Sequence, residues 1–219
     1  NGRTAAVSTV RSGRNEMWLF DLVDGSSTRL VSTDGVSTLG FWSPDGEFIY
    51  FAQGGWSARG LDRIFVPGGG VPEPVLRADN DLYPHDFTAD GRWLLINRHS
   101  EATSWDIMRY DLKAHPEFPL DAANLEPLVV SEAQEGGPRV SPDGRWLAYH
   151  SFESGSREIY LADFQNPSRR WMVSEGGGAN VNWDDDSQRL FYFNGNQLMA
   201  VDLNSGQGGL RPGKPVMLF

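Results

Sequence analysis

The sequence predicts an all-β fold, a propeller of four-stranded antiparallel blades with about five blades present in 219 residues. The first observation behind this is a repeat. Trp42-Ser43-Pro44-Asp45-Gly46 returns as Phe87-Thr88-Ala89-Asp90-Gly91 and as Val140-Ser141-Pro142-Asp143-Gly144, then in degraded form as Trp183-Asp184-Asp185-Asp186-Ser187. Gly2, Gly46, Gly91, Gly144 and Ser187 hold one slot at spacings of 44, 45, 53 and 43 residues, and a period in the mid-forties is that of one blade. The second is the pattern between the repeats. Apolar residues fall in short β-branched and aromatic runs bounded by turn signals, with 25 Gly and 13 Pro in the chain and no convincing 3.6-residue period.

Each unit has the same internal order. After the Asp-Gly turn comes an alternating run: Thr4–Val10, Phe48–Ala52, Trp93–Asn97, Trp146–His150 and Leu190–Phe193. The Asp-Gly step suits a tight hairpin, because Gly accepts positive φ and Asp bonds to its own turn. A polar loop follows, then a second run ending at Asp21-Leu22, Asp111-Leu112, Asp163-Phe164 or Asp202-Leu203, with Val66-Pro67 in that slot of the second unit. A third run closes each unit: Ser27–Val31, Glu73–Leu76, Glu126–Val130, Arg170–Val173 and Pro215–Leu218. The blades are therefore placed at 1–36 (partial), 37–81, 82–134, 135–177 and 178–219, all within one propeller domain. Asn1-Gly2 reads as the stump of an earlier copy, so the first blade lacks its inner strand, and its open edge is expected to invite self-association by strand addition. The long 53-residue spacing places extra residues at Lys113–Leu125, expected as a surface loop between the third and fourth strands. Trp42, Phe87, Val140 and Trp183 share one slot on the inner strands and are expected in the core between blades.

Composition bounds the function. With 29 acidic against 19 basic residues, the net charge of −10 argues against a nucleic-acid-binding surface. No apolar run exceeds the five residues Phe48–Ala52, so no membrane-inserted segment is expected in this stretch. There is no Cys, hence no disulfide, thiolate metal site or Cys nucleophile.

The repeats resemble the TolB-like propeller family, a bacterial relative of the WD repeat with a Ser-Pro-Asp-Gly signature. Within it, Gly144-Arg145-Trp146-Leu147-Ala148-Tyr149, Glu153-Ser154-Gly155, Glu158-Ile159-Tyr160, Gly176-Gly177 and Gln197-Leu198-Met199-Ala200-Val201-Asp202 look like the propeller segment fused to many bacterial serine/threonine kinases. The resemblance implies a binding or sensor module, part of a larger protein such as a receptor-type kinase, in an extracytoplasmic (periplasmic or cell-surface) location.

Enzymatic signals are weak. Gly55-Trp56-Ser57-Ala58-Arg59-Gly60 is one residue too long for a nucleophile elbow and does not lie between strand and helix. The four His residues lack metal-ligand spacing; His150 is expected to be packed on its strand and His115 solvated in the insertion. Asp79-Asn80-Asp81 and Asp184-Asp185-Asp186 offer oxygen ligands for Ca²⁺, but Asp on a repeat turn is ordinary turn chemistry. No cofactor is expected beyond that possibility.

Topology gives the better candidates. Loops entering the inner strands and those joining second and third strands gather on one face, around a funnel. His85, Asp86, Arg139 and Asn182 belong to this funnel, rimmed by Trp56, His99, Glu101, Glu135 and Glu153. Phe41, Asp86, Arg139 and Asn182 occupy one inner-strand slot, and three polar residues there suggest a wet channel. The acidic rim favours cationic or polyhydroxyl ligands or a metal ion, while Arg139 suits a carboxylate. These residues fit a protein, peptide or small polar ligand equally with a set of solvated or mutually paired groups. The competing class is a substrate-gating propeller of a peptidase, or a carbohydrate-active propeller enzyme.

Overall fold

The computed structural model describes residues 2–11, 14–33, 40–53, 58–206 and 209–219. Five small, chiefly antiparallel sheets follow one another along the chain as the blades of a propeller. The first has three strands in the order β1 (Thr4–Arg11), β2 (Arg14–Asp21), β3 (Ser27–Thr33). The second is built from β4 (Phe41–Trp42), β5 (Phe48–Gln53), β6 (Gly60–Phe65) and β7 (Glu73–Arg77). The third comprises β8 (Leu82–Phe87), β9 (Trp93–Ser100), β10 (Ser104–Asp111) and, after the two-residue β11 (Leu120–Asp121), β12 (Glu126–Val129). The fourth holds β13 (Glu135–Val140), β14 (Trp146–Ser151), β15 (Glu158–Asp163) and β16 (Arg170–Met172). The fifth holds β17 (Ala179–Trp183), β18 (Arg189–Asn194), β19 (Gln197–Gly206), β20 (Gly209–Pro212) and β21 (Val216–Met217). As expected, the first blade lacks an inner strand: among the described residues β1 pairs only with β2.

The repeated turn has a physical basis. Ser43 Oγ donates to Asp45 Oδ1 at 2.5 Å and accepts the Phe48 amide at 2.9 Å, while Asp45 Oδ1 accepts the Glu47 amide at 2.9 Å. Gly46 then takes φ 73°, a conformation that a Cβ disfavours. Thr88 with Asp90 and Ser141 with Asp143 repeat the hydroxyl-to-carboxylate bond. The hydroxyl, then the backbone amide, holds the carboxyl below its ordinary range at Asp45 and Asp90. In the degraded fifth copy Asp184 Oδ1 accepts the amides of Gln188 and Arg189, and Ser187 adopts the glycine slot's positive φ at 59°.

The chain forms two compact units, Asn1–Pro84 with Asp111–Leu125, and His85–Tyr110 with Glu126–Phe219. In the first unit Met17, Val31, Ile49, Phe51 and Ile64 form a buried cluster, with Trp42 packed against it. In the second unit one cluster joins the third and fourth blades through Leu95, Ile107, Val140, Leu147 and Tyr149. Another joins the fourth and fifth through Ile159, Leu161, Val181, Leu190 and Val201, with Trp183 packed on it. Phe87 is buried as well, so all four slot residues serve the core.

Two sequence expectations change. The segment Lys113–Leu125 does lie between β10 and β12, and residues 113–119 are exposed. It is not all loop, however. Leu120 and Asp121 form β11, which pairs in parallel with Leu76 and Arg77 of β7 and gives the second blade a fifth strand. Asp121 then caps a single 3-10 turn, Ala122–Asn124, by accepting the Ala123 amide at 2.9 Å. The Arg63 guanidinium lies 4.2 Å from the Phe118 ring centroid, and Leu120 is only 4% exposed. Leu120→Ala is therefore expected to lower the unfolding free energy by about 2–3 kcal/mol in urea titration, with Glu117→Ala neutral. In the fifth blade β19 runs on to Gly206 and folds back through β20, Leu203 pairing with Pro212. The sequence reading did not place a strand here. The expected outer strand is present as β21, Met199 pairing with Met217.

Candidate functional site

The site grows from the inner strands of the third and fourth blades, within the second unit. His85 and Asp86 lie near the end of β8, and Arg139 near the end of β13. Arg139 Nη1 donates to the His85 carbonyl at 2.7 Å and pairs with Asp86 Oδ2 at 3.2 Å. The side chains of Arg139 and Asp86 keep 34% and 30% exposure, so the pair faces solvent. Trp183 Nε1 donates to the Arg139 carbonyl at 3.1 Å, which fixes the backbone under the guanidinium. Burial pushes the Asp86 carboxyl up, opposed by Arg139.

Two histidines stand beside the pair. Burial, then the Arg139 charge and His150, push His85 down to about 3. Burial, then Arg157, pushes His150 down to about 4. Both imidazoles are neutral at pH 7. His150 lies against the backbone of Gly136 and Gly137: a Cβ at Gly136 would meet its Nε2 at 2.7 Å. Gly137 takes φ 60° where the β13–β14 register shifts, so glycine serves both the bulge and the close approach.

Asn97, on β9, ties this layer together and was missed by the sequence reading. Its Nδ2 donates to the Glu135 carbonyl at 2.9 Å and the Asp106 carbonyl at 3.1 Å, and its Oδ1 accepts the Gly137 amide at 3.1 Å. It also hydrogen bonds with His85. A polar residue closing an otherwise apolar run, Trp93-Leu94-Leu95-Ile96, is the signal that could have found it.

The remaining candidates are dispersed. Glu135 is not on the rim: it is 1% exposed, with Oε1 accepting from Ser131 Oγ at 2.5 Å and Ser151 Oγ at 3.4 Å. Expected in a loop entering the inner strand, Glu135 instead opens β13, opposite Ser151 of β14. Glu153 is on the surface, but both its oxygens are held by Arg170, at 3.0 and 2.5 Å. Asn182 is exposed on β17. His99 packs edge-on against Trp105 at 5.2 Å, and Glu101 is exposed in the turn joining β9 and β10. Trp56 lies outside the described residues. The structure thus brings together His85, Asp86 and Arg139, with Glu135 behind them, and leaves the rest apart. Of the Asp runs, Asp81 pairs with Arg59 at 3.4 Å and Asp184 caps its turn. Among the described residues no three His, Asp or Glu side chains cluster as metal ligands would, and no helix is long and apolar enough to cross a membrane.

No family model matches the chain. An uncharacterised protein of Agrobacterium fabrum is 26% identical over 153 residues, 68% of this chain and 51% of that protein. The Tol-Pal system protein TolB of Coxiella burnetii is 35% identical over 94 residues, 43% of this chain and 20% of TolB. The chain therefore spans between about a fifth and a half of these relatives. Among solved structures, TolB from Acinetobacter baumannii superposes with a TM-score of 0.74 at 15% identity, covering 98% of this chain and 54% of that one. Oligogalacturonate lyase in complex with manganese gives 0.67 at 17% identity over 98% of this chain and 63% of that one. Puromycin hydrolase gives 0.65 at 17% identity over 92% and 36%. At these identities the structural likeness speaks for the fold alone.

Proposed function

We propose that this TolB-like β-propeller is a non-catalytic binding module that takes a carboxylate-bearing peptide, protein segment or small polar ligand at Asp86 and Arg139. The observation that supports this is the geometry of Arg139. Only Nη1 is committed, to Asp86 and the His85 carbonyl, so among the described contacts Nε and Nη2 are left for a ligand, and a planar guanidinium suits a carboxylate. The acidic rim expected from sequence argued for cationic ligands; with Glu135 buried and Glu153 held by Arg170, Arg139 gains weight. The reading includes an extracytoplasmic setting and a larger parent protein, such as a receptor-type kinase, both resting on the family resemblance alone.

Fluorescence polarisation against a panel of octapeptides with free or amidated C-termini tests it. Free-carboxylate peptides should bind, and Arg139→Gln should weaken them by about 10- to 100-fold, the scale of a charge-assisted hydrogen bond. Asp86→Asn should tighten them, because it removes the competing anion. Unchanged binding by Arg139→Gln would overturn the site. The enzymatic alternative draws on the lyase and hydrolase folds; turnover of oligogalacturonate with Mn²⁺, or of puromycin, would favour it.

A further inference from the structure

A second feature lies behind the site and belongs to the blade repeat. In three blades a buried acid stands five residues before the end of the third strand, Glu16, Asp106 and Glu158, and in the second blade the buried Asp62 stands three residues before it. In three of these four blades a later residue of the same blade satisfies the acid. Arg29 bonds Glu16 at 3.1 Å, Arg77 bonds Asp62 at 2.5 Å, and Ser174 Oγ donates to Glu158 at 2.5 Å. The third blade departs from this. Ser131 follows Val130 as Ser174 follows Val173, yet it donates to Glu135 rather than to Asp106. Asp106 Oδ2 accepts from Thr103 Oγ1 at 2.6 Å, while its Oδ1 is buried with no hydrogen-bond partner among the described residues. Glu135 Oε2 is buried and unpartnered in the same way.

These two carboxyls belong to one neighbourhood. The single amide nitrogen of Asn97 binds the backbone carbonyls of both residues, and the two side chains are 2% and 1% exposed. The groups around Glu135 supply no counter-charge. From β14 come the Ser151 hydroxyl and the Tyr149 phenol; from the loop after β14 comes Glu153, already held by Arg170. From β10 comes Asp106 itself, and from the segment before β13 the Ser131 hydroxyl. The neighbouring His150 is neutral, and Arg98 falls on the face of β9 opposite to Asn97, which bonds the Glu135 carbonyl. An ionised Glu135 would place a bare anionic oxygen in a low dielectric with no cation among the groups named around it.

We propose that Glu135 is a proton-binding carboxyl that stays neutral at pH 7, in the neighbourhood of the buried acid Asp106. A neutral carboxyl supplies the O–H donor that the unpartnered oxygens lack. Burial, reinforced by Asp106 and Glu153 against the Ser131 and Ser151 hydroxyls, does push the Glu135 carboxyl above its ordinary range. Linkage then has a definite sign. A carboxyl raised on folding contributes stability that is present below its unfolded value, about 4.3, and is lost as pH rises through its folded value. Because Asn97 joins Glu135 to His85 and Gly137, loss of the proton loosens the junction of the third and fourth blades from behind the inner strands.

Infrared spectroscopy of the full chain with ¹³C-carboxyl-labelled glutamate tests this directly. At pH 7 the wild type should show an isotope-shifted band of a protonated carboxyl, absent from Glu135→Gln. The melting temperature of the wild type relative to Glu135→Gln should fall between pH 5 and 9, by about 4 °C for each tenfold difference in proton affinity between folded and unfolded states. The labelled wild-type spectrum decides the matter even where the variant folds poorly. No protonated glutamate band at pH 7 would overturn the proposal. So would Ca²⁺ or Mg²⁺ raising the melting temperature of the wild type but not of Glu135→Gln, since a metal ion would then supply the missing charge.

Discussion

Glu158→Ala is expected to lower the unfolding free energy by about 3 kcal/mol at pH 7, on the scale of a buried charged group stripped of several hydrogen bonds. Glu158 is 3% exposed and accepts from Ser156 Oγ, Ser174 Oγ and the Gly177 amide, so it closes the fourth blade at its link to the fifth. Ser174 also accepts the Ile159 amide at 2.7 Å, and losing the carboxylate leaves that hydroxyl without its acceptor. Burial pushes the Glu158 carboxyl up, but the hydroxyls of Ser174 and Ser156 and the Gly177 and Gly176 amides together bring it below its ordinary value. Its contribution is therefore present above about pH 4.3 and disappears as pH falls through the folded value. Urea unfolding at pH 7 and pH 3.5 checks this: the gap between wild type and variant should narrow in acid. A gap that stays constant would mean that Glu158 acts through packing rather than charge.

The second large effect is acid destabilisation through His85 and His150. Folding lowers both, to about 3 and about 4, from an unfolded value of about 6.5. The sign is opposite to that at Glu135. Stability is complete above pH 6.5 and is lost as pH falls, because the unfolded chain takes up protons that the folded one refuses. By pH 5 the loss is expected to reach up to about 2 kcal/mol for each residue, less where residual solvent access screens the charge. Histidine NMR should show these two imidazoles still neutral at pH 5 in the folded chain. His150→Phe should flatten the acid limb of the urea-derived stability curve. If it leaves that limb unchanged, His150 is not the group that titrates.

The strands and turns were legible because their causes are local. Ser43, Asp45 and Gly46 settle a hairpin among themselves, and Thr88, Asp90 and Gly91 do so again with Thr in place of Ser. Asp86 and Arg139 were also legible, as polar residues in a slot that the repeat places on the inner strand. Glu135, Asn97 and His150 were not read correctly as a group, because their arrangement depends on the bulge at Gly136–Arg139. A one-residue offset exchanges the two faces of a strand, and nothing in a Glu-Gly-Gly-Pro string announces which way the offset goes. The buried acids Glu16, Asp62, Asp106 and Glu158 left a fainter trace. In three of these blades the acid precedes an Asp by five residues, and the second unit, where Asp62 precedes the strand-ending Phe65 by three, breaks the series.

The short parallel strand β11 bears on how modular the blades are. A tandem repeat invites the view that each copy of forty-odd residues could be duplicated, deleted or exchanged as a cassette. Here the outermost strand of the second blade is encoded inside the third copy, Leu120 pairing with Leu76. Excising residues 82–134 as one repeat would strip an edge from the blade before it, and duplicating them would produce two strands competing for that edge. During synthesis the second blade likewise stays one strand short until the ribosome has passed Asp121, so the two repeats mature as a pair although they are written in series.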